Sequence, residues 1–501
     1  MDDKIQFIIN IYKKYKLFKE EKMSNILEKK FIYLFIILQP ILDLLTSFMS
    51  RNMDLPLTIG IVARSLFMVY MFMYALFVYR PQGRIYKYSR WILVGIGVYI
   101  ITFLGYTLLS KDTSIITEIK GVIKLFYFPI VLTGLFIINE KDRLEISNNF
   151  LMYLLLGYTG VIFIATITGT YFRSYNEYLY GLGTVGWFFA ANEIGSIIAI
   201  LTPFTIINII ENKLNIVNII SIILCILSSL YMGTKVPFIG FIGTLGILMV
   251  YTIFTYIFTR IKKISTSLNY KKISVCVITI GIVFCGLFYK SPVYKNLMFN
   301  YGHIVHKIVK FIEGPKDKNP ATKPMNPNEE IVVVEPDEKE PEINMHINQD
   351  DLVGSLLSNR TAVAEKIKNI YKKSSIVEKL IGLGHVIEIE PGVSTDKTIE
   401  MDQLDIFYRH GIVGTILYFG QLIMLMGIII KSLFRNSRYL LDLDVTTCII
   451  SILLGIAIAF SSGHVLTAPA VSIFIILSII KLYNKVVEGN WYENFDNNAD
   501  V

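Results

Sequence analysis

Apolar runs long enough to cross a membrane recur along most of this 501-residue chain, and they constrain its fold more than any other feature. Such runs are predicted at 31–49, 57–79, 91–109, 121–138, 150–170, 188–210, 214–231, 236–259, 273–289, 404–430, 444–462 and 464–484. The mean hydropathy is +0.54, and only 18% of the residues are charged, whereas soluble domains have about a quarter. The sequence therefore predicts an all-α polytopic membrane protein with about twelve transmembrane helices.

Lys and Arg residues are distributed unequally between the two sides of these predicted helices. If the N-terminus is cytoplasmic, the inside segments hold twenty-five of them. The short outside loops hold only five, namely Arg51, Lys111, Lys120, Arg173 and Lys235. Because positively charged loops stay on the cytoplasmic side, this bias predicts a multi-pass protein of a bacterial cytoplasmic membrane with both termini inside.

The order of polar and apolar segments predicts five regions. Residues 1–30 would form a basic amphipathic segment on the inner leaflet, 31–289 the first nine transmembrane helices, 404–484 the last three, and 485–501 a cytoplasmic tail. Residues 290–403 form the single long polar segment, expected to be an extracytoplasmic loop between helices nine and ten. Its 314–350 part is rich in Pro, Glu, Lys and Asn and is expected to be disordered. Further on, the sequence predicts a helix over 358–372 and a glycine turn at 382–384.

Several kinds of chemistry lack support in this sequence. The net charge of +8 lies mainly in the inside segments, which favours membrane lipids over nucleic acid as partners. No phosphate-binding glycine loop or nucleophile elbow is present, which disfavours ATP-driven transport and hydrolysis. The four cysteines and six histidines lack metal-ligand spacing, and "DLD" at 442–444 is too short a motif on the cytoplasmic side. No metal or other cofactor is predicted.

Polar residues near the predicted outer ends of the helices are the candidates for function, because charge in a bilayer is costly unless it is paired or used. These candidates are Arg51, Arg64, Arg173, Asn192, Glu193, Lys235, Arg360, Glu400 and Asp402. Simpler roles are open to several of them, since Arg51 and Arg173 could snorkel to headgroups and Arg64 could form a structural ion pair. Asp405 and Arg409, four residues apart in "EMDQLDIFYRHGIVG", could also simply pair on a helix.

Twelve spans with one large outer loop resemble the O-antigen ligase and polysaccharide polymerase superfamily. The resemblance is carried by "SNRTAVAEKI" with Arg360, "GLGH", "EMDQLDIFYRHGIVG" with Gly411 and Gly414, "ANEIG" and "GTKVPF". Gram-negative ligases place a His-Asn pair about eleven residues before the first of these glycines, where this chain has Glu400 and Met401. This departure favours a Gram-positive-type, polymerase-like branch.

The resemblance implies a GT-C-like, metal-independent and inverting glycosyltransferase acting on the outer face. Its donor would be an oligosaccharide on undecaprenyl diphosphate and its acceptor another lipid-linked glycan, for capsule, exopolysaccharide or cell-wall glycan; other polysaccharide-assembly proteins are further expected partners. Glu400 would be the catalytic base, with Asp402 as the second candidate. Arg360, Arg64 and Lys235 would hold the diphosphate. Secondary substrate contacts would come from Arg51, Arg173, Asn192 and Glu193.

Two other classes of protein remain open at this stage. A flippase for lipid-linked oligosaccharide would also have about twelve spans, but it would be expected to show internal repeats and no large outer loop. A signalling or scaffold protein could use the loop to bind a ligand, but it has no need to gather Arg64, Lys235 and Glu400 at one membrane face.

Overall fold

The computed structural model describes residues 28–53, 57–110, 115–175, 182–211, 215–263, 266, 268–299, 360–390, 393–395 and 399–488. The helices up to residue 299 are α1 (Glu28–Ile37), α2 (Gln39–Asn52), α3 (Ile59–Met73, continued by a π turn Tyr74–Val78), α4 (Arg84–Ser110), α5 (Ile115–Lys141), α6 (Asn148–Ile167), α7 (Ala191–Glu211), α8 (Ile216–Tyr231), α9 (Lys235–Lys262), α10 (Tyr270–Phe288) and α11 (292–299). Later helices are α12 (Arg360–Lys373), α13 (Ile376–Ile381), α14 (Asp402–Arg435), a 3-10 turn (Ser437–Leu441), α15 (Leu443–Ser461) and α16 (Pro469–Tyr483, continued by a π turn Asn484–Glu488).

Ten helices in the described ranges are long and apolar enough to cross a membrane. Counted as one span, the bent pair α1–α2 brings the number to eleven, and it bends by 49° just before Pro40, where a proline disfavours a straight helix. The apolar helix α8, at the position of the seventh predicted span, has only 16 residues, which at about 1.5 Å per residue falls short of a bilayer. The prediction of an all-α polytopic membrane protein is confirmed.

The centre of the bundle is built from α5, α7 and α16, which are buried over most of their length. Helix α7 packs against α6, α9 and α15, while α5 packs against α3, α4, α14 and α16. The outward sides of α4, α9 and α10 instead expose large apolar side chains, such as Ile101, Val250 and Ile282, as expected of surfaces that face lipid. Helix starts use side-chain caps, including Thr58 for α3 and Ser147 for α6.

Contacts between helix termini define two ends of the bundle. The first, called the loop end, holds the C-terminus of α2, the N-termini of α3, α5, α7, α14 and α16, and residues 360–390. The second, called the basic end, holds the start of α4 and the ends of α5 and α16, joined by contacts such as Arg143 to the Asn484 carbonyl at 2.9 Å. Every described part of the long polar segment beyond residue 360 packs at the loop end.

Short strands form two features that the helical pattern did not predict. Strands β1 (Phe172–Arg173) and β2 (Thr184–Gly186) pair antiparallel between α6 and α7, and β3 (Ile387–Glu390) pairs with β4 (Val393–Thr395) before α14. The predicted helix at 358–372 corresponds to α12, and residues 382–384 form the expected non-helical turn. The predictions for the amphipathic start before residue 28, the disordered 314–350 and the tail beyond 488 lie outside the described residues.

A candidate active-site cavity at the loop end

A cavity of about 500 Å³ opens among six helices at the loop end. Its walls are apolar, with Ile61, Leu125, Phe188, Phe189 and Ile194. Set into these walls are seven acidic, basic or imidazole side chains, which are Asp43, Arg64, Lys120, Lys124, Glu193, His385 and Asp405. Its size and its few convergent polar groups in an apolar wall are typical of small-molecule sites.

Arg64 is held in this cavity by a buried polar network. Its Nη2 donates to Asp43 Oδ1 at 2.6 Å and its Nε donates to Gln39 Oε1 at 2.9 Å. The Tyr158 hydroxyl donates to the other Asp43 oxygen at 2.7 Å. Arg64 is only 6% exposed, so its guanidinium is fixed in place and Asp43 balances its charge. A structural ion pair was one of the two roles that the sequence analysis gave for this arginine.

Lys120 and Lys124 lie four residues apart on α5, so both project from one side of the helix into the cavity. Neither lysine has an ion-pair or hydrogen-bond partner among the residues that the structure describes. Between them lies Gly121, where an added Cβ would meet the His385 ring at 2.2 Å. The glycine thus lets the imidazole rest directly on α5, next to two lysines that form no ion pair or hydrogen bond with a described residue.

The turn 382–386 is fastened to the bundle from both sides. The His385 N–H donates to both carboxylate oxygens of Glu118 at 3.0 Å, and the Val386 N–H adds a bond at 3.2 Å. On the other side, Leu383 N–H donates to the Tyr408 carbonyl at 2.9 Å and Gly384 N–H to the Arg409 carbonyl at 3.1 Å. The turn is therefore part of the bundle's hydrogen-bonding framework and forms one wall of the cavity.

These carbonyls of α14 are available because the helix breaks at Gly411, which has φ 61° and ψ −165°. A break leaves the preceding carbonyls without their intrahelical donors, and each buried one then needs another partner. Leu383 and Gly384 bind two of them, and the Tyr99 hydroxyl lies 2.9 Å from the third, the His410 carbonyl, and 2.7 Å from the Ile381 carbonyl. Sequence analysis identified the glycines of "HGIVG" but not this break.

A buried ion pair of Asp405 and Arg409 stands at the start of α14, directly beside the turn. Arg409 Nε donates to Asp405 Oδ1 at 2.7 Å, and Arg409 Nη1 donates to the His385 carbonyl. Asp405 Oδ1 also accepts the Ile399 N–H at 2.9 Å. Arg409 is fully buried and Asp405 is 3% exposed, so the pair joins α14, the turn and residue 399 inside the protein.

His385 lies against a second histidine, with its Nε2 3.1 Å from Nε2 of His410. Burial is the main cause that lowers the pKa of His385 well below its usual value near 6.5, and the neighbouring His410, Arg409 and Lys124 add to it. The folded protein therefore holds this imidazole neutral. In the cavity it offers a neutral hydrogen-bonding group near Lys124 and Arg409.

This neutral state predicts a pH dependence of stability. The unfolded chain takes up a proton at His385 near pH 6.5, whereas the folded chain does not, so the free energy of unfolding should fall below that pH by up to about 1.4 kcal/mol per pH unit. The His385→Gln variant should show a smaller loss when unfolding is followed between pH 7.5 and 5. An unchanged slope in His385→Gln would contradict this account.

Asp402 is one of the predicted catalytic residues, and its carboxylate is occupied by the loop that precedes α16. It accepts the N–H groups of His464, Val465 and Leu466 at 2.8, 2.9 and 2.7 Å, and the Thr467 hydroxyl at 2.7 Å. The side chain is 1% exposed. Four donors saturate its oxygens, so Asp402 anchors this loop and has no lone pair to offer a substrate.

The other predicted catalytic residues are only partly covered by the described structure. Glu400 lies half-buried just before α14, with its backbone packed against Gly463, and it is not one of the described residues that line the cavity. Arg360 begins α12, and its side chain lies outside the described residues. The catalytic roles of Glu400 and Arg360 stay predictions.

Two of the predicted substrate-binding residues, Arg64 and Glu193, line the cavity, and the other four do not. Glu193, in the first turn of α7, lines the cavity, whereas its neighbour Asn192 does not. Arg51 is exposed and stacks on Phe172 at 3.8 Å, with its Nη2 donating to the Phe188 carbonyl at 3.3 Å. Arg173 is exposed on β1, and half-buried Lys235 starts α9 away from the cavity lining.

Sequence reasoning missed Lys124, Asp43, His385 and the partnership of Glu118 with the turn. Lys124 and Asp43 each carry charge inside a predicted span, a signal that could have singled them out. His385 gave no such signal, because it stands in a polar segment with no ligand spacing. Among the described residues, no group of three His, Cys, Asp or Glu side chains could hold a metal ion.

The "DLD" motif has a structural explanation at the basic end. The Asp442 side chain caps α15 by accepting the Asp444 N–H at 2.7 Å. Asp444 in turn pairs with Lys485 at 2.9 Å and accepts a hydrogen bond from Asn148. Both carboxylates therefore hold helix ends together.

A comparison with protein families gives a match that covers most of the chain, from residue 25 to residue 486, to the model for O-antigen ligase like membrane protein. Among curated proteins, no sequence matches this chain. The matched range includes helices α1 to α16 and the seven acidic, basic or imidazole side chains of the cavity. The Gram-positive-type branch stays a prediction from Glu400 and Met401. The chain is a member of the O-antigen ligase like membrane protein family.

Proposed function

We propose that this protein is a glycosyltransferase that polymerises or ligates oligosaccharide units carried on undecaprenyl diphosphate, at the outer face of the cytoplasmic membrane. Membership of the O-antigen ligase like family supports an enzyme that joins lipid-linked glycans. The observation that carries the proposal is the loop-end cavity, which is lined by Lys120, Lys124 and Glu193. None of these three side chains has an ion-pair or hydrogen-bond partner among the described residues. The excess of Lys and Arg at the opposite end supports the outer orientation of this cavity.

The departing diphosphate would be stabilised mainly by Lys120 and Lys124. Asp43 already balances the charge of Arg64, so this arginine adds fixed hydrogen-bond donors more than net charge. The two ammonium groups carry net positive charge into an apolar-walled space, where an anion gains most from them. The predicted contributions of Arg360 and Lys235 would add to this set.

In the reaction that we propose, an acceptor hydroxyl gives its proton to a carboxylate while its oxygen forms a bond to the anomeric carbon of the donor. The bond from that carbon to the phosphate oxygen breaks, and its electron pair stays on the lipid diphosphate. A single displacement of this kind inverts the anomeric centre. Glu193 is the favoured proton acceptor, since Asp43 and Asp405 are ion-paired and Asp402 is saturated. Glu400 is the second candidate, because it stands in the sequence where the Gram-negative ligases have their His-Asn pair.

Glycan chain length in cells tests the proposal. In the Lys120→Gln/Lys124→Gln variant, loss of both cations should slow transfer by about a hundredfold or more, because donors aimed at developing charge have effects of that size. The expected product is single repeat units in place of polymer. Lys368→Gln/Lys372→Gln is the matched control, since these lysines are also four residues apart but lie exposed on α12. At equal protein levels, normal polymer from the cavity variant would overturn the proposal.

The proton acceptor is tested by comparing Glu193→Gln with Glu400→Gln in the same assay. Loss of a general base lowers rates by about 10²- to 10⁴-fold, so the variant that lacks the base should yield no polymer. If Glu193→Gln makes wild-type polymer and Glu400→Gln makes none, Glu400 and not Glu193 is the proton acceptor. The side of the membrane on which units accumulate separates transfer from transport, because units trapped inside would indicate a flippase.

A further inference from the structure

A groove at the basic end concentrates positive charge beside the lipid-facing side of α4. It has a volume of about 620 Å³ and is lined by Arg84, Lys87, Arg90 and Trp91, together with the turn 81–83. The three cations recur every third residue, which places them along one side of the first two turns of α4. None of the three has an ion-pair or hydrogen-bond partner within the described ranges.

Acidic side chains of the same end are engaged elsewhere. Glu28 pairs with Lys141 at 3.1 Å. Asp142 pairs with Lys29, and Glu140 accepts a hydrogen bond from the Tyr79 hydroxyl. The charge in the groove is thus left without a protein counter-ion in the described structure, although carboxylates stand on the neighbouring elements.

Packing on the opposite side of α4 keeps these cations turned toward the groove. Tyr86 stacks on Phe136 of α5 with ring centroids 5.0 Å apart, and Ser89 and Leu93 are fully buried. Rotation of the helix would expose these groups, so the register of the cations is fixed. The N-terminus of α4 adds its own positive potential at the same place, so the groove favours an anion.

Arg90 gives an independent indication of a missing acceptor. Its Nε is buried and has no hydrogen-bond partner in the described structure, while the residue itself lines the groove. A buried guanidinium N–H without an acceptor is costly, and a phosphate oxygen in the groove would supply one. Trp91, which is 63% exposed next to it, is the kind of side chain that sits at headgroup level in a membrane.

We propose that this groove binds the phosphate of an anionic phospholipid headgroup in the membrane leaflet at the basic end. Arg84 and Lys87 would attract the phosphate and Arg90 would donate to it, with Trp91 against the glycerol and upper acyl region. The same phosphate chemistry could come from a soluble anion, but the groove lies on the lipid-facing side of α4, where Val98 and Ile101 further along the helix are exposed. A lipid is therefore the occupant that the surroundings favour.

Native mass spectrometry and thermal unfolding of the full-length purified protein test this site. With phosphatidylglycerol added, the wild type should retain the lipid and gain thermal stability, and phosphatidylcholine should do neither. Arg84→Gln/Lys87→Gln should bind phosphatidylglycerol about thirtyfold more weakly, as expected for the loss of two charge contacts with an anionic lipid. Lys262→Gln/Lys271→Gln removes the same charge from exposed positions of α9 and α10 at the same end and should bind like the wild type.

Other outcomes would overturn the proposal. Equal phosphatidylglycerol retention by the wild type and Arg84→Gln/Lys87→Gln would exclude the groove as the site, and stabilisation by inorganic phosphate that displaces the lipid would identify a soluble ligand instead. If the double variant unfolds in phosphatidylcholine, Arg90→Gln alone replaces it, and its affinity for phosphatidylglycerol should fall about fivefold. Unchanged lipid retention by Arg90→Gln would then contradict the site.

Discussion

Replacing Arg409 with glutamine should lower the free energy of unfolding by about 3–5 kcal/mol, because it leaves the carboxylate of Asp405 buried without its counter-ion. The arginine is fully buried and joins α14 to the turn through Asp405 and the His385 carbonyl. Unfolding in increasing proportions of denaturing detergent measures the change. The proposed transfer activity should fall in parallel, since Asp405 and His385 both line the cavity.

Companion variants separate the ion pair from other effects of the Arg409 substitution. Asp405→Asn/Arg409→Gln removes both charges and should be more stable than Arg409→Gln alone, because neither partner is left as an unpaired buried ion. Glu365→Gln is the matched control, as it removes one charge from an exposed position on α12 and should change stability by less than about 0.5 kcal/mol. If Arg409→Gln lowers the free energy of unfolding by no more than Glu365→Gln does, the buried ion pair does not stabilise the loop end.

Changing Gly382 to alanine should lower the free energy of unfolding by a comparable amount. This glycine has φ +109°, and an added Cβ would lie 2.1 Å from the Arg409 carbonyl oxygen and 2.5 Å from the His410 Cα. The backbone conformation alone costs a side-chain-bearing residue about 1–3 kcal/mol. Relief of the clash would also pull Leu383 and Gly384 away from the α14 carbonyls. We expect a lowered unfolding midpoint and loss of transfer activity.

Gly427→Ala is the control for this substitution. It lies in the same helix, α14, with no atom within 4 Å of an added Cβ. Alanine there should stabilise the helix by about 1 kcal/mol or leave it unchanged. A Gly382→Ala protein with the wild-type unfolding midpoint and activity would show that the turn does not need to approach α14 so closely.

Much of the helical architecture could be predicted from the sequence, because the membrane requires long apolar segments and leaves a strong signal for them. Each predicted span corresponds to a helix or to the bent pair α1–α2. The signal fails at α8, which is apolar enough to be predicted as a span but too short to cross a bilayer. It also could not reveal β1 to β4, since strands of two to four residues carry too little periodicity.

The candidate site was harder to predict, because its members are defined by tertiary contacts. Arg64 and Glu193 were identified from charge near span ends, and both line the cavity. Asp402 gave the same signal, but its carboxylate instead holds the loop before α16, a role visible only once residues 464–467 are placed around it. His385 enters the cavity because Gly121 leaves room on α5, a relation between residues far apart in sequence.

The contact of Glu118 with the turn also has a consequence for how the protein is made. This carboxylate is fully buried in the finished structure, yet the His385 N–H that it binds lies 267 residues later in the chain. During synthesis α5 is therefore complete long before its partner exists, and until then the Glu118 carboxyl must be hydrated, protonated or bound by other donors. The cavity wall that His385 forms can be completed only when the last quarter of the chain has emerged.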